Sequence, residues 1–326
     1  MAKSKKAKSS KLEKSLIRAA IELAEESAKA TLKSREKALR GRAKAVKKSQ
    51  VATARVHAAQ PALAARFREA VGSTAPDRWL LAEGDSWFDY PGDDVLKILG
   101  DTYGYEVESV AHKGDRVEDM AYSDGQLDAF CRALEKLVRN GRVPRAILLS
   151  GGGNDITGDD LARLLNHARS PRPGLSETLV KGVVDERIFL SYVTIITQIT
   201  SVCEAKLGQT LPIIVHGYDY PVPDGRGYWG GMWILPGPWL EPGFHRKGHR
   251  DLAANTDSMR VLIDRFNQVL AGLPKQSGFE HVRYIDLRKS LTSGKDYKSD
   301  WANELHPNKA GFQKVVARFE EVLSQL

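Results

Sequence analysis

From Trp79 onward the chain repeats one pattern: a short apolar run, then glycine or polar residues, then a stretch with helical spacing. The runs are "WLLAE" (79–83), "YEVESVA" (105–111), "AILLSG" (146–151), "LPIIVHG" (211–217) and "VRYIDL" (282–287). Helical spacing occupies Asp94 to Leu99, Leu127 to Arg139, Glu186 to Lys206, Leu252 to Leu270 and Asn308 to Leu323. Strand and helix alternate five times, which predicts a parallel sheet with helices on both faces. In such sheets the loops at the carboxyl ends of the strands form the binding crevice. Ser86, Gly114 and Asn154 all lie just past predicted strand ends.

Residues 1–70 differ in kind. They are mostly Ala, Lys, Arg, Glu, Ser and Leu, with no proline before Pro61 and no aromatic before Phe67. That composition favours helix but offers no core of its own, so a basic arm, helical or disordered, is expected ahead of a body at 71–326. Charge follows the same division. Residues 1–50 hold 16 Lys or Arg against 5 Glu, while 51–326 hold 33 against 36 Asp or Glu, so the net +8 resides in the arm. Leu12, Leu16, Ala19 and Leu23 trace a narrow apolar seam. A solvated tail, a polyanion contact (nucleic acid or an acidic surface) and a helical partner through residues 1–50 all stay open.

A chain of 326 residues with 42% hydrophobic content suffices for one α/β core plus an appendage. Cys131 and Cys203 are far apart and lack the close spacing of a zinc site, so ordinary buried thiols are expected. The longest apolar stretch, "IFLSYVTIITQITSVC", is broken by Ser, Thr and Gln and reads as too short to span a bilayer. The N-terminal lysines have no apolar signal-peptide region behind them. The expectation is a soluble, cytoplasmic protein without a transmembrane segment.

A serine hydroxyl becomes a useful nucleophile only when a base takes its proton and fixed donors receive the oxyanion. "GDS" (Gly84 to Ser86) follows the first strand, "AHKGDRV" brings Gly114 after the second, and "LLSGGGNDI" delivers Asn154 and Asp155 after the third. "DWANELHPNKAGF" puts His306 on a loop after the fifth, with Pro307 near the entrance to the last helix. An amide is one of the few neutral side chains able to donate to a developing alkoxide, which suits Asn154.

These four blocks, in this order, resemble the SGNH hydrolases, also called GDSL-type esterases and lipases. The resemblance runs from about Trp79 to the C-terminus and leaves the arm outside. It implies a three-layer α/β/α sandwich on a five-stranded parallel sheet of flavodoxin-like type. It implies Ser86 as nucleophile, His306 as general base, and oxyanion donors from the Ser86 and Gly114 backbone and the Asn154 side chain. The implied reaction is carboxylic ester hydrolysis through an acyl-enzyme, with no metal or organic cofactor, on a small-molecule, lipid or carbohydrate ester.

One position departs from that family. Its usual aspartate, three residues before the histidine, is here Asn303. Asn303 can fix the ring tautomer without supplying charge; Asp300 or Glu304 could orient the ring instead, or the site could work as a Ser–His dyad. His216, at the end of the fourth run, is a candidate for the pocket wall or for structural hydrogen bonding. The Gly- and Pro-rich loop 219–245 carries Trp229, Trp233 and Trp239 as candidate substrate-binding aromatics, in a lid or a small satellite core. His112 lies beside Gly114. His245 and His249 have the spacing of a metal pair, but Gly248 between them and the missing intervening Glu make a poor metal motif. Asp85 and Asp155 lack the clusters of a metal-dependent phosphoesterase. The alternative from another class is a nucleic-acid-associated or scaffolding protein that acts through the arm, with an inactive body.

Overall fold

The computed structural model describes residues 2–53, 78–123, 125–228 and 236–326. In chain order the elements are α1 (Ala2–Thr53), β1 (Trp79–Glu83), α2 (Val95–Tyr103), β2 (Glu106–Ser109), α3 (Val117–Tyr122), α4 (Gln126–Arg139), β3 (Ala146–Leu149) and α5 (Gly158–Leu164). Then come α6 (Glu177–Leu207), β4 (Ile213–His216), α7 (Glu241–Arg246), α8 (Leu252–Leu270), β5 (Val282–Ile285) and α9 (Lys309–Leu323). Within α6, Lys181–Ile188 is π-helical.

The five strands form one parallel sheet in the order β2-β1-β3-β4-β5. β3 and β4 are buried at every residue, as their unbroken apolar runs require when both faces are covered. Contacts sort the helices into two sets. α2 packs with α9, while α3, α4 and α6 pack together and α8 meets the π-helical part of α6. This is the expected α/β/α sandwich. The chain leaves β1 toward one edge and β3 toward the other, so the strand order reverses between them. Such a switch point opens a crevice at the carboxyl ends. The pairing Glu83↔Leu149 sets Gly84 to Ser86 beside Ser150 to Asn154 at that point.

The arm is more deeply engaged than its composition suggests. α1 lies across α6 and α4, with Ala24 and Ala28 fully buried and Ile17, Ala20, Ile21 and Leu32 packed on the core. Arg35 Nη2 donates to Glu135 Oε2 at 2.8 Å, Lys206 Nζ donates to Glu135 Oε1 at 2.8 Å, and Gln198 Nε2 donates to Ser27 Oγ at 3.2 Å. The described part of the arm therefore packs on the body, and the boundary expected at residue 70 lies outside the described residues. The expected seam does not make this contact: Leu12, Leu16 and Leu23 are 63%, 43% and 64% exposed. The docked face is offset by one residue, because alanine lets two helix backbones approach where leucine would hold them apart.

By length and composition alone, the 31-residue α6 is apolar enough to cross a membrane, contrary to the sequence expectation. In the fold, Tyr192 to Ile199 of α6 are buried. Cys131 and Cys203 are free and buried, and burial pushes both thiols up to about 12.

Candidate active site

Gly84 ends β1 where no side chain fits: a Cβ there would stand 2.7 Å from Ser150 Cβ and 2.9 Å from its carbonyl oxygen. The next residue, Asp85, is buried and anchors the turn. Its Oδ1 accepts from Trp87 N at 3.0 Å and Ser150 Oγ at 2.7 Å, and its Oδ2 accepts from Tyr218 OH at 2.6 Å. Those three donors satisfy a charge that burial would otherwise make costly. Ser86 thus stands on a turn clamped from below, with its hydroxyl in the crevice.

His306 comes from a loop that folds back on itself before α9. Trp301 bridges Pro307, Ala302 N donates to His306 O at 2.9 Å, and Asn308 N donates to Asp300 O at 2.8 Å. Asn308 Oδ1 then caps α9 by accepting from Gly311 N at 3.0 Å. Trp87 Nε1 donates to Leu305 O at 3.2 Å, tying this loop to the residue after Ser86.

Ser86 Oγ and His306 Nε2 are 2.7 Å apart, and His306 Nδ1 lies 3.2 Å from Asn303 Oδ1. The amide orientation is fixed by its neighbours. Asn303 Oδ1 also accepts from Leu305 N and His306 N, both at 2.9 Å, while Nδ2 donates to Tyr90 OH at 3.0 Å. An oxygen therefore faces Nδ1, which must carry the proton, leaving the Nε2 lone pair to accept from the serine hydroxyl. Tyr90 also stacks on the imidazole, with centroids 4.2 Å apart, and Trp239 stands edge-on to it at 5.7 Å. Burial pulls the His306 pKa down to about 3.

The other two candidates for the orienting position are engaged elsewhere. Asp300 Oδ2 accepts from Lys314 Nζ and Thr292 N, both at 2.6 Å. Glu304 accepts from the backbone N–H of Gly225, Trp239, Leu240 and Glu241 at 2.6–3.0 Å, holding both described ends of the aromatic loop. Among the described residues no carboxylate hydrogen-bonds His306.

Asn154 Nδ2 spends one hydrogen on Asp115 O at 2.8 Å, and its other hydrogen is directed by the same contact. Gly114 has φ +91°, a left-handed conformation that suits glycine, and shares a cavity with Ser86 and Asn154. Asp155 is a scaffold residue: Oδ2 accepts from Val117 N at 2.9 Å at the start of α3, and burial raises its pKa to about 6.

His216 does not line the crevice. It is fully buried, with its ring against Trp87, Phe88, Tyr218 and Phe319, and Nδ1 donates to Gly217 O at 2.7 Å. The strand-end position suggested the rim, but the side chain turns into the layer beneath Trp87. His112 pairs with Asp115 at 3.5 Å, His245 with Glu241 at 2.5 Å, and His249 donates to Asn166 O at 2.9 Å. Trp229 and Trp233 lie outside the described residues. The end of loop 219–245 is regular after all, as α7. Tyr90 carries no sequence signal, since only the fold brings it to Asn303 and His306.

No protein-family model and no curated protein matches the sequence. Solved structures that the chain is similar to include an inhibitor-bound aryl esterase from M. smegmatis, at 13% identity over 76% of this chain and 100% of that one, with TM-score 0.43. A protein from Slackia heliotrinireducens assigned to the SGNH hydrolases matches at 15% identity over 74% and 97%, TM-score 0.41. A carbohydrate esterase family 3 protein from Talaromyces cellulolyticus matches at 13% over 76% and 96%, TM-score 0.38.

Proposed function

We propose that this protein is a serine hydrolase of SGNH type that cleaves carboxylic esters through an acyl-enzyme. One observation carries the reading: the Ser86 Oγ to His306 Nε2 contact of 2.7 Å, with Nδ1 facing Asn303 Oδ1. In the first half-reaction Ser86 Oγ attacks the ester carbonyl as its proton passes to His306 Nε2. The oxyanion is received by the backbone N–H of Ser86 and Gly114 and the Asn154 amide. The imidazolium then returns its proton to the departing alkoxide. In the second half-reaction His306 deprotonates water, which attacks the acyl-enzyme, and Ser86 recovers its proton.

The imidazolium formed twice per cycle has an amide, not a carboxylate, at Nδ1. The Asn303 carbonyl dipole and the face of the stacked Tyr90 ring, 4.2 Å away, take over that stabilisation. The test is Ser86→Ala assayed on a neutral chromogenic ester. Activity should vanish with the fold retained; more than about 10% of wild-type turnover, a barrier change of only ~1.4 kcal/mol, excludes Ser86 as nucleophile.

A further inference from the structure

Two cavities of unequal size meet at Ser86, Asn154, Leu305 and His306. The inner one runs under Trp87 toward Ile156, Leu240, Met259 and Ile263, and its volume is about 40 Å³. Those five side chains are at most 3% exposed. Its two carboxylates are already occupied. Asp85 holds Trp87 N, Ser150 and Tyr218, and Asp219 accepts from the backbone N–H of Tyr220, Lys289 and Leu291. What remains facing the space is largely apolar. The outer cavity is about 420 Å³ and is lined, among the described residues, by Tyr90, Lys113, Gly114, Tyr228 and Trp239. Lys113 and Gly114 are exposed there, so this side opens on solvent.

The reaction makes different demands on the two halves of an ester. The alcohol must leave and water must enter between the half-reactions, whereas the acyl group stays bonded to Ser86 through both. A small cavity with a buried, largely apolar lining suits the half that stays; a larger one bordered by exposed residues suits the half that departs. A space of 40 Å³ is about three times the ~10–15 Å³ that one water-sized group needs. It therefore holds one to about three carbons beyond the carbonyl.

We infer that the inner cavity is the acyl site and admits short acyl groups, from acetyl to about butyryl, with Met259 and Ile263 of α8 setting the limit, while the outer aromatic cavity takes a much larger alcohol. This rests on the esterase reading and specifies its substrate class: short-chain esters of bulky alcohols with an apolar face.

The experiment is a series of 4-nitrophenyl esters (acetate, butyrate, octanoate) turned over by the full chain, with fluorophosphonate labelling of Ser86 run alongside. Wild-type kcat/KM should be at least about tenfold higher for acetate or butyrate than for octanoate. Met259→Ala should raise the octanoate-to-acetate ratio by about tenfold or more. Ile263→Val, a smaller change that keeps the core filled, should raise it about threefold. Octanoate turned over within threefold of acetate by a labelled wild-type protein overturns the acyl assignment alone. So does an unchanged ratio in both variants. A protein that takes no fluorophosphonate and cleaves none of the three esters overturns the esterase reading, and this inference with it.

Discussion

In the proposed reaction His306 accepts a proton beside an amide rather than a carboxylate, and its burial makes that demand sharper. The free base is held neutral because burial lowers its pKa from 6.5 to about 3. Protonating the ring removes the base, so activity is lost only as pH falls through that lowered value. For an uncharged ester, kcat/KM should keep its plateau through pH 6.5 and down to about pH 5; an acid limb centred near 6.5 contradicts the buried, uncharged environment. Asn303→Asp puts a negative charge at Nδ1, which favours the imidazolium, so the acid limb should move upward in the same pH profile. Tyr90→Leu removes both the stacked ring and the acceptor that fixes the Asn303 amide. It should cost roughly tenfold in kcat, about 1.4 kcal/mol, with Tyr90→Phe in between because it keeps the ring; equal effects of the two would assign everything to the hydroxyl. Ser86 and Asn154 were legible in the sequence because each sits in a short block at a strand end, and His306, with Asn303 as one of three candidates beside it, because its block precedes the last helix. Tyr90 was not, since it meets Asn303 across 213 positions of chain. For His216 the strand end fixed its height in the sheet and not which way its ring turned, so the pocket wall and structural hydrogen bonding both stayed open; the structure gives the second.

At the scale of elements, β1, β3 and β4 were legible as buried apolar runs, while β2 and β5, at the sheet edges and only partly buried, were legible mainly from their place in the alternation of strand and helix. α3 and α5, of six and seven residues, are too short to show a helical period. The first part of α6 was missed as well, since its π-helical stretch departs from the 3.6-residue period. α1 shows why composition misled. Its docking face is built on Ala24 and Ala28, residues that count little in any hydrophobic pattern, while Leu12, Leu16 and Leu23 point outward. Ala28→Phe should therefore lower unfolding free energy by roughly 1–3 kcal/mol through overpacking, and Leu23→Ala should stay within about 0.5 kcal/mol. Urea unfolding of both variants checks this. A silent Ala28→Phe would return α1 to the solvated arm that its composition suggests.

Across the whole molecule, the β1 end, the loop of Gly114 and helix α4 are tied together by one buried acid. Glu83 Oε1 accepts from Gly84 N at 3.1 Å and Gln126 Nε2 at 3.0 Å, and Gln126 reaches on to Asp115 at 3.2 Å, beside the carbonyl that holds Asn154. Burial raises the Glu83 pKa from 4.5 to about 8. Between those values the native state binds a proton that the unfolded state has released, so its contribution to stability is full below about pH 4.5 and is lost as pH rises toward 8. Glu83→Gln lacks this dependence. Its stability relative to wild type should increase by on the order of 1 kcal/mol per pH unit across that window, measured by urea unfolding at pH 5, 6.5 and 8; a constant difference would mean that Glu83 is ionised in the fold. All of these ties serve one atom, and the most direct test of the account addresses that atom without knowledge of the substrate. The full chain is treated with a serine-directed fluorophosphonate, digested and mapped by mass spectrometry. The account predicts a single stoichiometric phosphonyl adduct on the peptide containing Ser86, absent from Ser86→Ala; an unmodified Ser86 peptide, or an adduct on another serine that persists in the variant, contradicts it.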